Sequence, residues 1–449
     1  MHRLYSLIPR GSFVLAATTL GSYAAGLFRD RIFAHTFGAS RTLDAYNAAF
    51  LLPDFLFNVF VASGIAAAFV PLFTDLAKLG RSRAEAYTNT VITAGAAFMT
   101  VLGVVLVVFA KPAARLLAPG FDEVDITLVA RILRILALTP ILFAASNAVG
   151  AMLVAERRFF FYGLSPILYN VGIIAGTLLL APRYGITGVA LGTVGGALLH
   201  FIARAIDGGI LGYRFRPRLA VRTPEFARTI RLMIPKMLGH PVELATFWGF
   251  TAIASAMSAG SVAVLNFARN FESVPVSIIG IAVATAVFPT LAAAASGKSP
   301  SEFRRVLKHA ALLIFVASAL SAALMFLLRE FLIGVLLGGK AFGPEAIART
   351  AATLGVFTLA IPTEALSQLY ARAFYATKNT AIPVALSVMS LGVAVGGAWV
   401  LAPTLEIFAL PLTFAVASAL KLILMLVFLP RRLGALQEHN KPLPPELAS

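Results

Sequence analysis

Residues 21–72 read GSYAAGLFRDRIFAHTFGASRTLDAYNAAFLLPDFLFNVFVASGIAAAFVPL. The stretch is apolar enough to lie in a bilayer. Yet Arg29, Asp30, Arg31, Asp44, Asp54 and Asn58 fall inside or close to two expected spanning helices. A charge at the centre of a membrane helix costs at least about 2.5–3.5 kcal/mol on insertion scales, so such residues face a cavity or a partner. Charges of both signs in the first two spans point to a polar chamber within the membrane. The rest of the chain reads as what encloses it.

Composition agrees. The 449 residues are 59% hydrophobic and 13% charged, with a mean hydropathy of +0.87, whereas soluble chains carry about 25% charged residues. This is the composition of an integral membrane protein. Lys and Arg number 37 against 20 Asp and Glu, a net charge of +17. In a soluble chain that excess would suggest nucleic-acid binding; here the positive-inside rule accounts for it, and no nucleic-acid partner is expected. Cysteine is absent, so disulfide and thiolate chemistry are excluded. The N-terminus MHRLYSLIPRGSF has the basic start of a signal peptide, but no small-residue cleavage site followed by a soluble domain. The first apolar run is therefore read as a retained span.

A window of about 20 residues per crossing gives twelve candidate helices. They lie near 11–36, 45–77, 87–110, 124–155, 163–182, 185–212, 229–257, 262–295, 305–328, 345–376, 380–402 and 405–429. The expected class is an all-α polytopic membrane protein. With the N-terminus in the cytoplasm, the cytoplasmic loops collect Lys78, Arg81, Arg83, Arg157 and Arg158, then the run Arg214–Arg228, then Lys298, Arg304, Arg305 and Lys308. The opposite loops are sparser, with Arg41, Lys111, Arg115, Arg183, Arg329, Lys340 and Arg349. That asymmetry places both termini in the cytoplasm.

The basic segment RFRPRLAVRTPEFARTIR reads as a joint between two halves. AAAFVPLFTDLA, ending the second span, returns as ATAVFPTLAAAA, ending the eighth; GAS at 38–40 has a counterpart in AGS at 259–261. AERRFFFYGLSP after span four likewise resembles ARAFYATKNTAIP after span ten. The first two offsets are close to 220 residues. The reading is a duplication: a six-helix lobe over 1–213, a cytoplasmic linker over 214–228, a second six-helix lobe over 229–430 and a disordered cytoplasmic tail over 431–449. The lobes would be related by a pseudo-two-fold axis along the membrane normal, with the substrate site between them, as in duplicated transporters.

The second half carries polar residues of its own. Lys236, His240 and Glu243 stand at i, i+4 and i+7 on one helical face. Asn266, Arg269, Asn270, Glu272 and Ser273 cluster near the start of span eight, and Glu364, Gln368 and Arg372 recur at i, i+4 and i+8. Each stripe reads either as cavity lining or as a plain interhelical ion pair or snorkelling cation. The six histidines are scattered, and no Asp-rich or HExxH metal motif occurs. No metal site, cofactor or catalytic residue is expected.

The ordered set GLFRD, HTFGAS, LDAY, LPDF and AFVP resembles the MurJ/MviN family of bacterial lipid II flippases. So do LAPGF at 117–121, ERRF at 156–159, SPILYN at 165–170, IPKMLG at 234–239, AVATAVFPTLA at 282–292 and RAFYATKNTAIP at 372–383. This family lies within the multidrug/oligosaccharidyl-lipid/polysaccharide exporter superfamily. The resemblance implies a V-shaped pair of lobes around a cationic cavity for the diphosphate and sugar-peptide headgroup of lipid II. It also implies residence in the bacterial cytoplasmic membrane and contact with membrane lipids and cell-wall synthesis proteins. Arg29 and Asp30 match the family's Arg-Asp of the first span, Asp44 its Asp before the second, and Lys236 its basic IPR-like position. Arg269 and Arg372 join them as cavity candidates, together with Asn58 and Glu243.

The chain also departs from the pattern. LPDFLFN places Phe57 and Asn58 where the family has basic residues, and Ala268-Arg269-Asn270 displaces an arginine by one position, about 100° of helix. Fourteen spans are common in the family, whereas this chain has about twelve, without the pair that forms part of a lipid-tail groove. In the expected mechanism Arg29, Lys236 and Arg269 replace water around the phosphates, Asp30 and Asp44 hold those cations or act at a gate, and the lobes rock. The alternatives are another superfamily transporter, whether a polysaccharide-lipid flippase or a small-solute or drug antiporter, and a membrane enzyme acting on lipid carriers. An antiporter for cations would need a carboxylate-dominated cavity. An enzyme would need clustered carboxylates or a His/Ser constellation.

Overall fold

The computed structural model describes residues 10–62, 65–239, 241–297 and 299–439. All regular structure among them is helical, as hydrocarbon demands: no water is there to pair with backbone N–H and C=O groups, so each segment must satisfy its own. The chain begins with α1 (Arg10–Phe37), α2 (Arg41–Leu56), α3 (Ile65–Lys78), α4 (Arg81–Val108), α5 (Ala110–Leu117) and α6 (Glu123–Leu136). It continues with α7 (Thr139–Ala155), α8 (Phe160–Ala175), α9 (Ala181–Tyr184) and α10 (Ile186–Ile210). After an irregular segment come α11 (Pro224–Gly239), α12 (Pro241–Ser255), α13 (Ser261–Pro275), α14 (Ala282–Ser296) and α15 (Pro300–Leu337). The last are α16 (Pro344–Phe357), α17 (Ile361–Ala376), α18 (Ala381–Leu405) and α19 (Ala409–His439).

Each of the twelve stretches expected from hydropathy falls on one of these helices or on a run of them. By length and hydropathy, eight stretches of the described residues can cross a membrane; one of them, Ala381–Arg431, holds most of both α18 and α19. The chain is an all-α polytopic membrane protein.

Wider, π-helical turns interrupt three of these runs: Phe57–Ala62 a few residues after Pro53, Gly176–Leu180, and Val276–Ile281 directly after Pro275. Proline removes an N–H and crowds the carbonyl four residues back, so the ladder must kink or widen there. Local backbone features also recur at a constant spacing. The π-turns at 57–62 and 276–281 form one such pair, and left-handed Gly38 and Gly260 a second. Arg157 and Lys378 share φ of 58°, and Gly185 and Glu406, with φ of 55° and 48°, end APRYG and APTLE. Partners stand 219 to 222 residues apart, the spacing also found in the sequence.

The fold divides into two compact units, the first running to Ala263 and including Leu336–Ala346. Its core joins α3, α4 and α7 through Phe69, Phe73, Tyr87, Val91, Met99 and Leu153. Another seam packs α8 against α10 with almost nothing between the backbones: a Cβ on Gly172 would collide with Gly196, and one on Gly176 with Gly192. Lipid tails are as apolar as leucine, so membrane helices gain contact by small residues that let backbones approach. Gly192→Val is therefore expected to lower stability by about 3 kcal/mol, at the upper end for overpacking, because the neighbour it meets is backbone that cannot swing aside. Thermal unfolding in detergent measures this.

The second unit comprises Val264–Val335 and the chain from Ile347 onward. Leu291, Phe303, Leu307, Ile314, Phe374 and Met425 form its core among α14, α15, α17 and α19. Within it Lys421 Nζ lies 2.8 Å from Glu364 Oε1, and the hydroxyls of Thr363 and Ser418 are 2.8 Å apart. Leu312, Leu320, Leu327 and Phe331 of α15 stay exposed, the surface a bilayer covers.

Candidate functional site

Arg29 lies about two turns before the end of α1 in an apolar helix, and its guanidinium is held on two sides. Nε and Nη2 donate to Asp30 Oδ1 at 3.1 and 2.8 Å, and Nη1 donates to Asn170 Oδ1 on α8 at 3.2 Å. The ring of Phe33 lies 5.8 Å from the guanidinium carbon. Neighbouring residues on a helix point about 100° apart, so the arginine reaches its partner only by wrapping its long side chain sideways. Asn170 is oriented in turn by donating from Nδ2 to the Pro166 carbonyl at 3.0 Å. Asp30 is buried, whereas the Arg29 side chain stays 24% exposed. The result is a fixed cation whose side chain is not fully covered. Beside it, Tyr46 packs edge-on to Phe33 and shares a 2.8 Å hydroxyl contact with Thr193.

Asp44 has a different setting. It is fully buried, and its two oxygens accept from the backbone N–H groups of Gly260 and Ala263, each at 2.7 Å. Those groups lie just before and within the first turn of α13, where N–H groups lack intrahelical partners and the helix dipole favours an anion. Arg41 completes the arrangement from the other sign: it donates to the Ser255 and Met257 carbonyls, at 3.2 and 3.1 Å, at the end of α12. Its Nη1 also lies 3.9 Å from Asp44. One Arg–Asp pair thus caps the end of one helix and the start of the next.

Contacts around this latch are tight. A side chain at Gly260 would strike the Ala39 carbonyl, and one at Gly38 the Ala341 carbonyl. The Gly120 N–H donates to Ser255 Oγ at 2.9 Å, and Arg31 donates to the Leu336 carbonyl at 3.2 Å.

The remaining sequence candidates are placed as follows. Asn58 sits half-buried in the π-turn after α2 and donates from Nδ2 to the carbonyl and side chain of Asp54, each at 2.9 Å. Glu243 is exposed in the first turn of α12. Lys236 lies in α11, but its side chain falls outside the described residues, as does His240. Arg269, half-buried on α13, and Arg372 on α17 belong to the second unit. Arg372 donates to the Gln368 carbonyl at 3.1 Å and to Thr285 Oγ1 at 3.1 Å. Among the described residues no group of three or more His, Asp or Glu is arranged to hold a metal.

Sequence reasoning missed three residues. Asn170 stands at the end of the motif SPILYN but carries no charge to mark it. Arg41 was counted only as a loop cation. Arg204 on α10 is 3% exposed and donates to Ser165 Oγ at 3.0 Å and to Asn147 Oδ1 at 3.2 Å, with its guanidinium 4.6 Å from the Tyr162 ring. One turn away on α10, His200 Nδ1 is 2.7 Å from Ser146 Oγ. Arg158, in the loop before α8, donates from Nε to Asp207 at 2.7 Å, and that bond holds its guanidinium above the ordinary arginine value. These groups tie α7, α8 and α10 together inside the first unit.

A family model described as lipid II flippase MurJ matches residues 33–441. The probable lipid II flippase MurJ of Borreliella burgdorferi is 24% identical, the match covering 84% of this chain and 74% of that protein. The lipid II flippase MurJ of Burkholderia cenocepacia is 25% identical over 94% of this chain and 84% of its own. Among solved structures, lipid II flippase MurJ in an inward closed conformation superposes with a TM-score of 0.81 at 22% identity, covering 95% of this chain and 90% of that one. An inward-facing multidrug resistance MATE family transporter gives 0.78 at 15% identity, over 94% and 96%. At such identities the structures establish the fold alone, whereas the family model covers most of the chain. The chain belongs to the lipid II flippase MurJ family.

Proposed function

We propose that this chain carries lipid II from the inner to the outer leaflet of the bacterial cytoplasmic membrane, with both termini in the cytoplasm. The observation that carries the reading is Arg29: a guanidinium fixed by Asp30 and Asn170 in the otherwise apolar helix α1, with a quarter of its side chain open. A diphosphate cannot cross hydrocarbon unaided, because burying an unpaired charge is prohibitive. A pre-positioned guanidinium substitutes for water around phosphate oxygens through charge-assisted hydrogen bonds. Lys236, Arg269 and Arg372 are assigned as further cations along the headgroup path, with Asn58 and Glu243 as polar lining. No covalent chemistry is required.

The cycle is alternating access, in which halves 1–213 and 229–430, joined by the linker 214–228, rock about the carried headgroup while the prenyl tail stays in lipid. The backbone features that repeat 219 to 222 residues apart support that duplication. An antiporter for organic cations would instead offer open carboxylates, and here Asp44 is consumed by two backbone N–H groups while Asp30 binds Arg29. The test is complementation of a strain depleted of its own lipid II flippase, with expression checked. Growth with normal cell shape is the expected result. Lysis despite membrane-inserted protein would point to a different lipid-linked cargo.

A further inference from the structure

The irregular segment between α10 and α11 is laid along α4 and anchored there by its backbone. The Arg81 guanidinium donates to the Leu211 carbonyl, and Arg216 N–H donates to Asn89 Oδ1 at 3.1 Å, an atom that also accepts from the Tyr213 hydroxyl. Arg218 N–H donates to Thr93 Oγ1 at 3.2 Å. With the main chain fixed, the side chains of Arg214, Arg216, Arg218 and Arg222 are exposed, as are Arg228 and Arg231 on α11. Over 214–231 these six arginines meet one acidic residue, Glu225. None of them forms an ion pair with a described carboxylate.

Under this cationic strip lies a cavity of about 460 Å³, lined by apolar side chains including Val91, Phe98, Met99, Leu219, Val221 and Ile234. The polar side chain in its wall, Thr229, is already satisfied by Tyr87 and by the Glu225 carbonyl, at 2.8 and 2.9 Å. The same segment and α4 also line a second hollow of about 240 Å³, where Arg83 and Arg218 come together with Thr90, Thr223 and Glu225. Thr90 and Arg218 are next in sequence to Val91 and Leu219 of the first cavity. An apolar slot with room for one hydrocarbon chain therefore adjoins a shallow hollow with two guanidinia. Leu219, Val221 and Ile234 are 62%, 41% and 50% exposed, so the slot opens outward rather than being sealed in the core.

We infer that this is a binding site for one anionic phospholipid of the surrounding leaflet. An acyl chain fills the apolar slot, and Arg83 and Arg218 hold the phosphate. The charge balance selects the occupant. Unpaired arginines beside a membrane helix attract anionic headgroups, with a gain of about fivefold per cation near the surface; a zwitterionic headgroup brings its own ammonium and loses much of that gain. Seated there, the lipid pins the segment 211–223 against α4, and anionic lipid content would tune how readily α11 moves.

The experiment is native mass spectrometry of the full chain released from nanodiscs of phosphatidylglycerol mixed with phosphatidylcholine. Wild type is expected to retain one phosphatidylglycerol in preference to phosphatidylcholine. Arg83→Gln with Arg218→Gln, both on the surface and neutral for folding, should cut that preference about tenfold or more. Ala94→Trp, which fills the slot, should remove the adduct, with the melting temperature read on the same sample to confirm a folded chain. Equal retention of the two phospholipids overturns the inference, as does an adduct that survives Ala94→Trp. Retention of an added polyprenyl phosphate in place of phosphatidylglycerol also overturns it, by assigning the slot to a tail of the carried lipid's class.

Discussion

Arg29→Ala is expected to abolish transport of a diphosphate-headed lipid, and Arg29→Lys to recover only a minor part. The guanidinium makes three hydrogen bonds, two to Asp30 and one to Asn170, and its side chain is still 24% exposed. That geometry depends on a planar fork with five N–H donors: three are held by the positioning partners on two sides, which leaves two for the ligand. A lysine offers a single point charge and cannot do both. Each charge-assisted hydrogen bond to phosphate contributes about 1.5–3 kcal/mol, so losing two lowers the translocation rate on the order of a hundredfold or more. Translocation of fluorescent lipid II in proteoliposomes reads this directly, alongside complementation. Asp30→Asn is the control, because it keeps the shape and leaves the guanidinium in place. A well-folded Arg29→Ala protein that translocates at the wild-type rate would remove Arg29 from the proposed path.

The parts of this site that could be read from sequence are those that violate the local pattern. Arg29, Asp30 and Asp44 stand out because a charge in an apolar run needs a reason. Their partners do not stand out, because the groups that satisfy them are neutral or are backbone. Asn170 is 141 positions from Arg29, and Asp44 is held by N–H groups 216 and 219 positions away. An amide N–H at the start of a helix looks the same in any sequence. Arg204 was hidden for the same reason: its partners are hydroxyl, amide and carbonyl groups drawn from α7 and α8, none of them an acid at helical spacing. Lys421 and Glu364 are of opposite charge but lie 57 residues apart on different helices, so no periodicity links them.

The helices themselves were legible almost throughout, since hydrocarbon forces helix wherever an apolar run is long enough. The π-turns were less so. Two follow prolines, but the one at Gly176–Leu180 has no such marker and lies where α8 packs closely on α10. The repeat spacing was legible in words such as GAS and AGS because left-handed turns restrict what residues they accept. Gly38 and Gly260 occupy that region at matching positions.

Asp44→Ala is expected to open the α12–α13 latch without unfolding either helix. The substitution leaves two buried N–H groups, of Gly260 and Ala263, without acceptors, each costing about 1–3 kcal/mol. It also leaves Arg41 without the Asp44 carboxylate 3.9 Å from it, though Arg41 keeps the Ser255 and Met257 carbonyls and a 3.6 Å approach to Asp125. The α12 end of the turn therefore stays capped while the α13 end loses its anion. Two such penalties correspond to at least about a thirtyfold rise in the local opening constant. Hydrogen exchange over residues 256–266, followed by mass spectrometry in bilayer nanodiscs, should accelerate by that factor, while α4 and α7 exchange as in wild type. Asp44→Asn should give an intermediate rise, since its amide keeps one acceptor but turns a second donor toward an N–H. The packing of Gly260 on Ala39 and Gly38 on Ala341 sets how far the opening can go. If exchange at 256–266 is unchanged in Asp44→Ala, that steric packing alone closes the turn, and the buried carboxylate must be assigned to another step of the cycle.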